Sequence, residues 1–261
     1  MAAARFRNCR TSARGGRAWG YLRLLAVVVL VASLAIPAFA APRVPEKLIY
    51  ELSWTGINVG TATQEISDEG SARRIVSTAR SNNWLSAFFP VEDRIESSYD
   101  PEQGAFPGLV RHYRLRTREG SRRHDREILF EHGNGVARYR DNLGTERVDI
   151  PIPPDTIDIY GSFYAIRFLP LEVGKSHYVN ILDSKRLRRI EVRVLRRERI
   201  KTVLGEVDTI VVQPLVASEG VFEGKGTVHI WLTDDARRIP VRARTKVTVG
   251  SVTATLVGGT F

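Results

Sequence analysis

The chain has 261 residues, 39 of them basic and 29 acidic, with five histidines and a single cysteine. Six of the basic residues and no acidic one precede residue 41, so the remainder carries 33 basic against 29 acidic side chains. The high overall positive charge therefore belongs largely to the amino-terminal segment and does not argue for nucleic-acid binding by the rest.

In that segment Arg5, Arg7, Arg10, Arg14, Arg17 and Arg23 lead into the apolar run "LLAVVVLVASLAI" (24–36), followed by "PAFAA" with small residues at Ala38 and Ala40. The pattern predicts a secretory signal peptide over residues 1–40, cut between Ala40 and Ala41, and hence a periplasmic protein. As a membrane anchor the run is short of the roughly 20 residues that a spanning helix needs, and Pro37 ends it. No "RR" pair precedes it, so the general export route is expected rather than the twin-arginine one. Cys9 lies ahead of the apolar run and cannot be the lipid-carrying cysteine of a lipoprotein. The expected mature chain then has no thiol for a disulfide, a metal or a nucleophile. It must be held by its own core, for which about 220 residues suffice.

From Lys47 onward, alternation with a period of two dominates. In "KLIYELSW", Leu48, Tyr50, Leu52 and Trp54 share a face, and "TGINVGTATQEI", "RRIVSTAR" and "VEDRIESSYD" read as further strands. "RHYRLRTREGSRRHDREILF" reads as a hairpin about "EGS", with Tyr113, Leu115 and Thr117 on one side and Arg114, Arg116 and Arg118 on the other. "GVARYRDN" adds a short strand.

"PIPPDTIDIYGSFYAIRFLPLEVG" breaks the pattern. Its prolines cannot continue a central strand, Asp155 or Asp158 can cap a helix, and Ile157, Tyr160, Tyr164 and Phe168 recur at near-helical spacing until Pro170. Strands resume in "SHYVNIL", "LRRIEVRVL", "RIKTVLGEVDTIVVQPLV", "GTVHIWLT" and "PVRARTKVTVGSVTATLVG". The last is read with Val241, Ala243, Thr245, Val247 and Val249 inward and Arg242, Arg244 and Lys246 outward. The expected fold is mainly β: a curved antiparallel sheet or half-open barrel with one short helix across the concave side, forming a single domain over residues 41–261. "TDDARRI" is then a strand connection, and adjacent aspartates in a turn are a poor acid/base pair.

The ending "HIWLTDDARRIPVRARTKVTVGSVTATL" resembles the bacterial exported-protein family catalogued as domain of unknown function 3108. "YELSWTGINVGTA" is similar to that family's opening strand. Asp158, Ser162, Tyr164, Arg167, Leu169 and Gly174 resemble its central helix pattern, and Gly205, Thr209, Val212 and Pro214 its "G…T…V…P" strand pair. The similarity spans roughly residues 46–257. It implies a periplasmic, β-rich protein whose shape is similar to the half-barrel carriers of lipids and lipoproteins in bacterial envelopes. It implies no catalytic residues.

The residues themselves show no catalytic constellation, no metal site and no cofactor motif. None of the five histidines (His112, His124, His132, His177, His229) stands in an "HExxH" pattern, and no phosphate-cradling glycine loop opens a helix. Two features are suggestive. An apolar or lipidic ligand, or a lipoprotein, could be held by aromatics on the concave side, with Trp54, Trp84, Phe88, Phe89, Tyr160, Tyr164 and Trp231 as candidate ligand-binding residues. Alternatively the basic strands, with Arg114, Arg116 and Arg118 as candidate anion-binding residues, could hold anionic cell-wall or outer-membrane polymers in an envelope assembly factor. The bland reading of those arginines is a solvated outer face. An envelope hydrolase is a third reading, without residues to support it. No nucleic-acid partner is expected, and peripheral association with the envelope is open.

Overall fold

A computed structural model describes residues 44–215 and 228–261. The expected signal peptide, its cleavage point and Cys9 lie outside the described residues. All of the described secondary structure belongs to a compact unit of residues 39–261.

The first half is a meander of eight strands: β1 (Glu46–Trp54), β2 (Ile57–Glu69), β3 (Ala72–Ser81), β4 (Val91–Asp100), β5 (Leu109–Glu119), β6 (Arg122–Glu131), β7 (Val136–Asp141) and β8 (Arg147–Pro151). The second half runs β9 (Ile157–Asp158), β10 (Ser176–Asp183), β11 (Arg186–Thr202), β12 (Gly205–Pro214), β13 (Val228–Thr233), β14 (Pro240–Lys246) and β15 (Ser251–Thr260). Pairing of β1 with β15 joins the halves into a single sheet whose edges are β8 and β9. The hydrogen-bonded ladder does not close. Side chains nevertheless cross the gap: Arg126 donates to Ser184 at 3.2 Å, and Lys185 pairs with Glu146 at 2.7 Å.

The curvature has a visible cause. Registers shift at Ile49/Tyr50, Leu52/Ser53, Ser98/Tyr99, Val194/Arg196 and Trp231/Leu232, and each such irregularity bends a strand and sharpens its twist. Around the concave side lie buried clusters from both halves. The helix α2 (Ile159–Arg167) enters between them, placing Tyr164 in the cluster of β2 to β8 and Ile166 in the cluster of β11 to β13. The mainly β architecture and its helix match the expectation.

Several local expectations change. "PVRARTKVTVGSVTATLVG" is not one strand but the hairpin β14–β15, turning at Val247–Gly250, where Gly250 has a φ of 82°. Val249, read as inward, sits in this turn and is 68% exposed. Alternation continues through a hairpin whose turn is short, so periodicity alone does not reveal the break. The chain also forms a second, four-residue helix, α1 (Asn83–Ser86), whose cap Asn82 accepts a hydrogen bond from the Leu85 amide. β9 pairs with β10 in parallel, against the antiparallel rule of the rest. The two runs "LRRIEVRVL" and "RIKT" are one long strand, β11. "TDDARRI" is the β13–β14 connection, in which Asp235 accepts from the Arg237 and Arg238 amides and from Thr233.

Candidate functional site

The position of α2 is set at both ends by buried charge. Asp158, fully buried, caps the helix by accepting from the amides of Tyr160 (2.9 Å) and Gly161 (3.0 Å). It also accepts from the hydroxyls of Tyr99 (2.5 Å) and Ser97 (3.1 Å) on β4. Burial pushes its carboxyl above the usual range, and these hydrogen bonds oppose that rise. Glycine is required at position 161 because a Cβ there would stand 2.8 Å from the Tyr99 hydroxyl oxygen. At the other end Arg167 donates to both carboxylate oxygens of Glu46 on β1, at 2.7 and 2.9 Å, and to the Arg237 carbonyl at 2.9 Å.

Between α2 and the sheet lies a cavity of about 280 Å³, open on one side. Its wall is mostly apolar: Ile166 from the helix faces Ile230, Leu232, Ala62, Ala243 and Ala254 from the strands. The space exists because small side chains fall side by side. Ala254 pairs with Ala243, which pairs with Ile230, while Ala62 pairs with Ala79 and lies beside Tyr50. A Leu or Phe at those inward positions would fill it. Sequence reasoning placed Ala243 inward without drawing a cavity from it, and passed over Ala62 and Ala254. Their signal was an inward position in an alternating strand occupied by a small residue, and it becomes legible only once neighbouring strands are known.

The polar groups at the cavity are few. The Tyr50 hydroxyl donates to the Pro240 carbonyl at 2.8 Å. Burial pushes the Tyr160 hydroxyl up to about 12, against the effect of a hydrogen bond with Ser77. The Tyr164 hydroxyl and the Arg167 Nε have no hydrogen-bond partner within the protein, and both residues border the cavity. An isolated buried donor is costly, and these two lie in the protein beside the cavity rather than on its accessible surface.

The sequence-derived aromatic candidates separate into three places. Tyr160 and Tyr164 stand on the cavity wall. Trp54, Trp84, Phe88 and Phe89 do not reach it; they are exposed at one rim of the sheet, in the β1–β2 and β3–β4 connections. Trp231 lies on the other face of β13, where its indole donates to Glu198 and the Arg242 guanidinium sits 5.8 Å from the ring. The strand's alternation turns Ile230 and Leu232 into the cavity in its place.

The candidate anion-binding arginines follow one face of β5, and two of them are engaged in ion pairs. Arg114 is bidentate to Asp125 (3.1 and 2.9 Å), and Arg116 pairs with Glu96 at 3.3 Å. Arg118 is exposed, and its backbone amide donates to Asp93. Among the described residues no three His, Cys, Asp or Glu side chains are grouped to hold a metal ion.

An open, strongly curved antiparallel sheet wrapped around a buried helix defines a barrel-like β protein. More particularly, the chain belongs to the family described as "Protein of unknown function (DUF3108)", whose pattern matches residues 49–257. No curated protein matches it. Among solved structures it is similar to the beta-barrel-like protein of domain of unknown function DUF1849 from Brucella abortus, with a TM-score of 0.55 and 12% identity over 84% of this chain and 98% of that one. That likeness concerns the fold alone. A "putative lipoprotein" from Parabacteroides distasonis ATCC 8503 aligns with 85% of this chain and 97% of its own, at 12% identity and a TM-score of 0.33, and carries no argument. Neither the family nor the barrel-like neighbour brings a sign of catalysis.

Proposed function

We propose that this protein is a periplasmic binding protein of the bacterial envelope, holding an apolar or lipidic ligand beside α2 without altering it chemically. The observation that carries this reading is the 280 Å³ apolar-walled space bounded by Ala62, Ala243 and Ala254. Interiors are ordinarily filled to crystal-like density, so neighbouring small residues around an open space are what a ligand site requires. The volume of about 280 Å³ falls just below the range for small-molecule pockets, roughly 300–1,000 Å³. It suits a single acyl chain better than a diacyl lipid. The amino-terminal leader pattern supports export. Recognition of polymers by the basic strands is less favoured, because Arg114 is already held by Asp125 and Arg116 shares the Glu96 carboxylate with Arg74 and Arg94.

The test uses protein recovered from the periplasm of cells exporting it, analysed by native mass spectrometry and solvent extraction. A co-purifying single-chain amphiphile is expected, together with saturable laurate binding that Ala254→Trp removes. Absence of any amphiphile, with laurate binding unaffected by Ala254→Trp, would refute the assignment.

A further inference from the structure

At the rim where β1 ends and β2 begins, three connections carry exposed apolar side chains side by side. From the β1–β2 turn come Trp54 and Ile57, from the α1 connection Trp84, Phe88 and Phe89, and from the β14–β15 turn Val249. Phe88 is 85% exposed and Ile57 59%. Scattered single apolar residues on a surface need no explanation, but six on adjoining turns do.

The group is held as a platform rather than left as loose loops. The Trp54 indole donates to the Val249 carbonyl at 2.8 Å, and the Thr55 amide to the Ser251 carbonyl at 2.8 Å, fastening β1–β2 to β14–β15. The Trp84 indole and the Asn82 side-chain amide both donate to the Asn58 carbonyl, at 3.1 and 2.8 Å, fastening β1–β2 to α1. The Phe89 ring lies on Gly120 in the β5–β6 turn, where a Cβ would stand 2.7 Å from the ring. The apolar face of each indole is thus presented while its N–H is already satisfied.

Charge beside this platform is one-sided. Residues 80–93, 118–123 and 244–251 contain Arg80, Arg118, Arg122, Arg123, Arg244 and Lys246 against Glu92, Asp93 and Glu119. All six basic residues are exposed. Of the acids, Glu92 lies 3.8 Å from Arg80, while Asp93 and Glu119 alternate with the buried Ile95 and Tyr113 on the inner face.

We propose that this rim docks on a phospholipid surface bearing anionic headgroups, with Phe88, Phe89, Ile57 and the two tryptophans entering the interface and the surrounding arginines meeting the phosphates. Aromatic side chains with an apolar body are favoured at the headgroup level, and basic neighbours add attraction to anionic lipid. Docking of this kind is peripheral: among the described residues no helix is long and apolar enough to span a bilayer. The inference stands apart from the cavity. Ala254→Trp, which fills the cavity, leaves vesicle binding unchanged, so the two readings can fail separately.

The fifteen strands and the buried clusters of the described residues lie within residues 39–261, so this segment carries its own core and is the form to test, free of the apolar leader. It is incubated with vesicles of phosphatidylcholine alone and of phosphatidylcholine mixed with phosphatidylglycerol. Co-sedimentation with the mixed vesicles and a blue shift of tryptophan emission are expected, and Phe88→Glu lowers the bound fraction on the order of tenfold. Val203→Glu, at an exposed site in the β11–β12 turn of the opposite rim, leaves it unchanged. Circular dichroism confirms that the variants fold. No binding to either vesicle, equal binding of Phe88→Glu and the parent, or equal loss with Val203→Glu overturns the proposal. So does a dimer in sedimentation velocity that Phe88→Glu dissociates, which would make the rim a contact between copies.

Discussion

The guanidinium of Arg167 and the carboxylate of Glu46 meet in a bidentate ion pair, 121 residues apart in sequence and each about 1–2% exposed at the side chain. One belongs to the last turn of α2, the other to the first residue of β1. The pair fastens the carboxyl end of the helix to the wall of the sheet, as Asp158 fastens the amino end to β4 through Tyr99 and Ser97. Both fixings use charge taken out of water, which is stabilising only when every partner is in place.

Removing one member of the pair is therefore expected to be much worse than removing both. Arg167→Met leaves the Glu46 carboxylate buried without its partner and should destabilise the fold by about 3–5 kcal/mol. Glu46→Leu combined with Arg167→Met should recover a large part of that loss. Urea titration of the single and double variants, read as a double-mutant cycle, measures this. Additive losses would show that the two side chains do not act as a pair.

At the other end of α2, Asp158→Ala deletes the helix cap and leaves the Tyr99 and Ser97 hydroxyls without their acceptor. Loss of a cap costs about 0.5–2 kcal/mol, and each stranded buried donor about 1–3. A total loss of about 2–5 kcal/mol is expected, with Asp158→Asn much milder because its amide oxygen still accepts. Thermal denaturation of the two variants separates these outcomes, and equal losses would assign the stabilisation to charge rather than to hydrogen bonding.

Asp93 gives the stability a specific pH dependence. Burial, with Glu119 adding to it, pushes the Asp93 carboxyl up from 3.8 to about 6. A carboxyl whose pKa is higher folded than unfolded binds its proton more tightly in the folded state. Its contribution is most favourable below about pH 4 and is lost as pH rises through about 6. Asp93→Asn should therefore stabilise the protein at pH 7 by about 1–2 kcal/mol once solvent screening is allowed for, and make no difference below pH 4. Melting temperatures across this range provide the check, and a gain that persists at acid pH would point to a cause other than titration.

The alanines of the cavity wall lead to a different expectation. Ala62→Phe adds apolar bulk to the wall of a space already present, so it should leave stability within about 1 kcal/mol of the parent. It should at the same time weaken laurate binding at least tenfold, measured by calorimetry. A large loss of stability would mean that the wall has no room for the ring, contrary to the 280 Å³ found there.

Much of the framework was legible beforehand. Strands with one buried face alternate, and β1 and β5 were readable as such because Leu48 and Tyr50 on the one, and Tyr113, Leu115 and Thr117 on the other, recur at even spacing. α2 was readable from its prolines, its cap and its near-helical aromatic spacing. The β14–β15 turn was not, since alternation runs on through residues 247–250 and the only local mark is Gly250. Trp231 was assigned to the concave side on its aromatic character alone, although its neighbours Ile230 and Leu232 are the ones that face it.

The order of residues by itself determined that this protein is a curved, mainly antiparallel β sheet with a helix among its strands, because periodicity, caps and turn residues act over a few neighbours along the chain. Only the tertiary structure decided that Glu46 awaits Arg167, that alanines from β2, β14 and β15 open one cavity, and that Trp54, Trp84 and Phe88 gather on a single rim. Those relations depend on which strands lie side by side and in what register. That choice is made by burial over the whole sheet, across separations of a hundred residues and more, and no local pattern carries it.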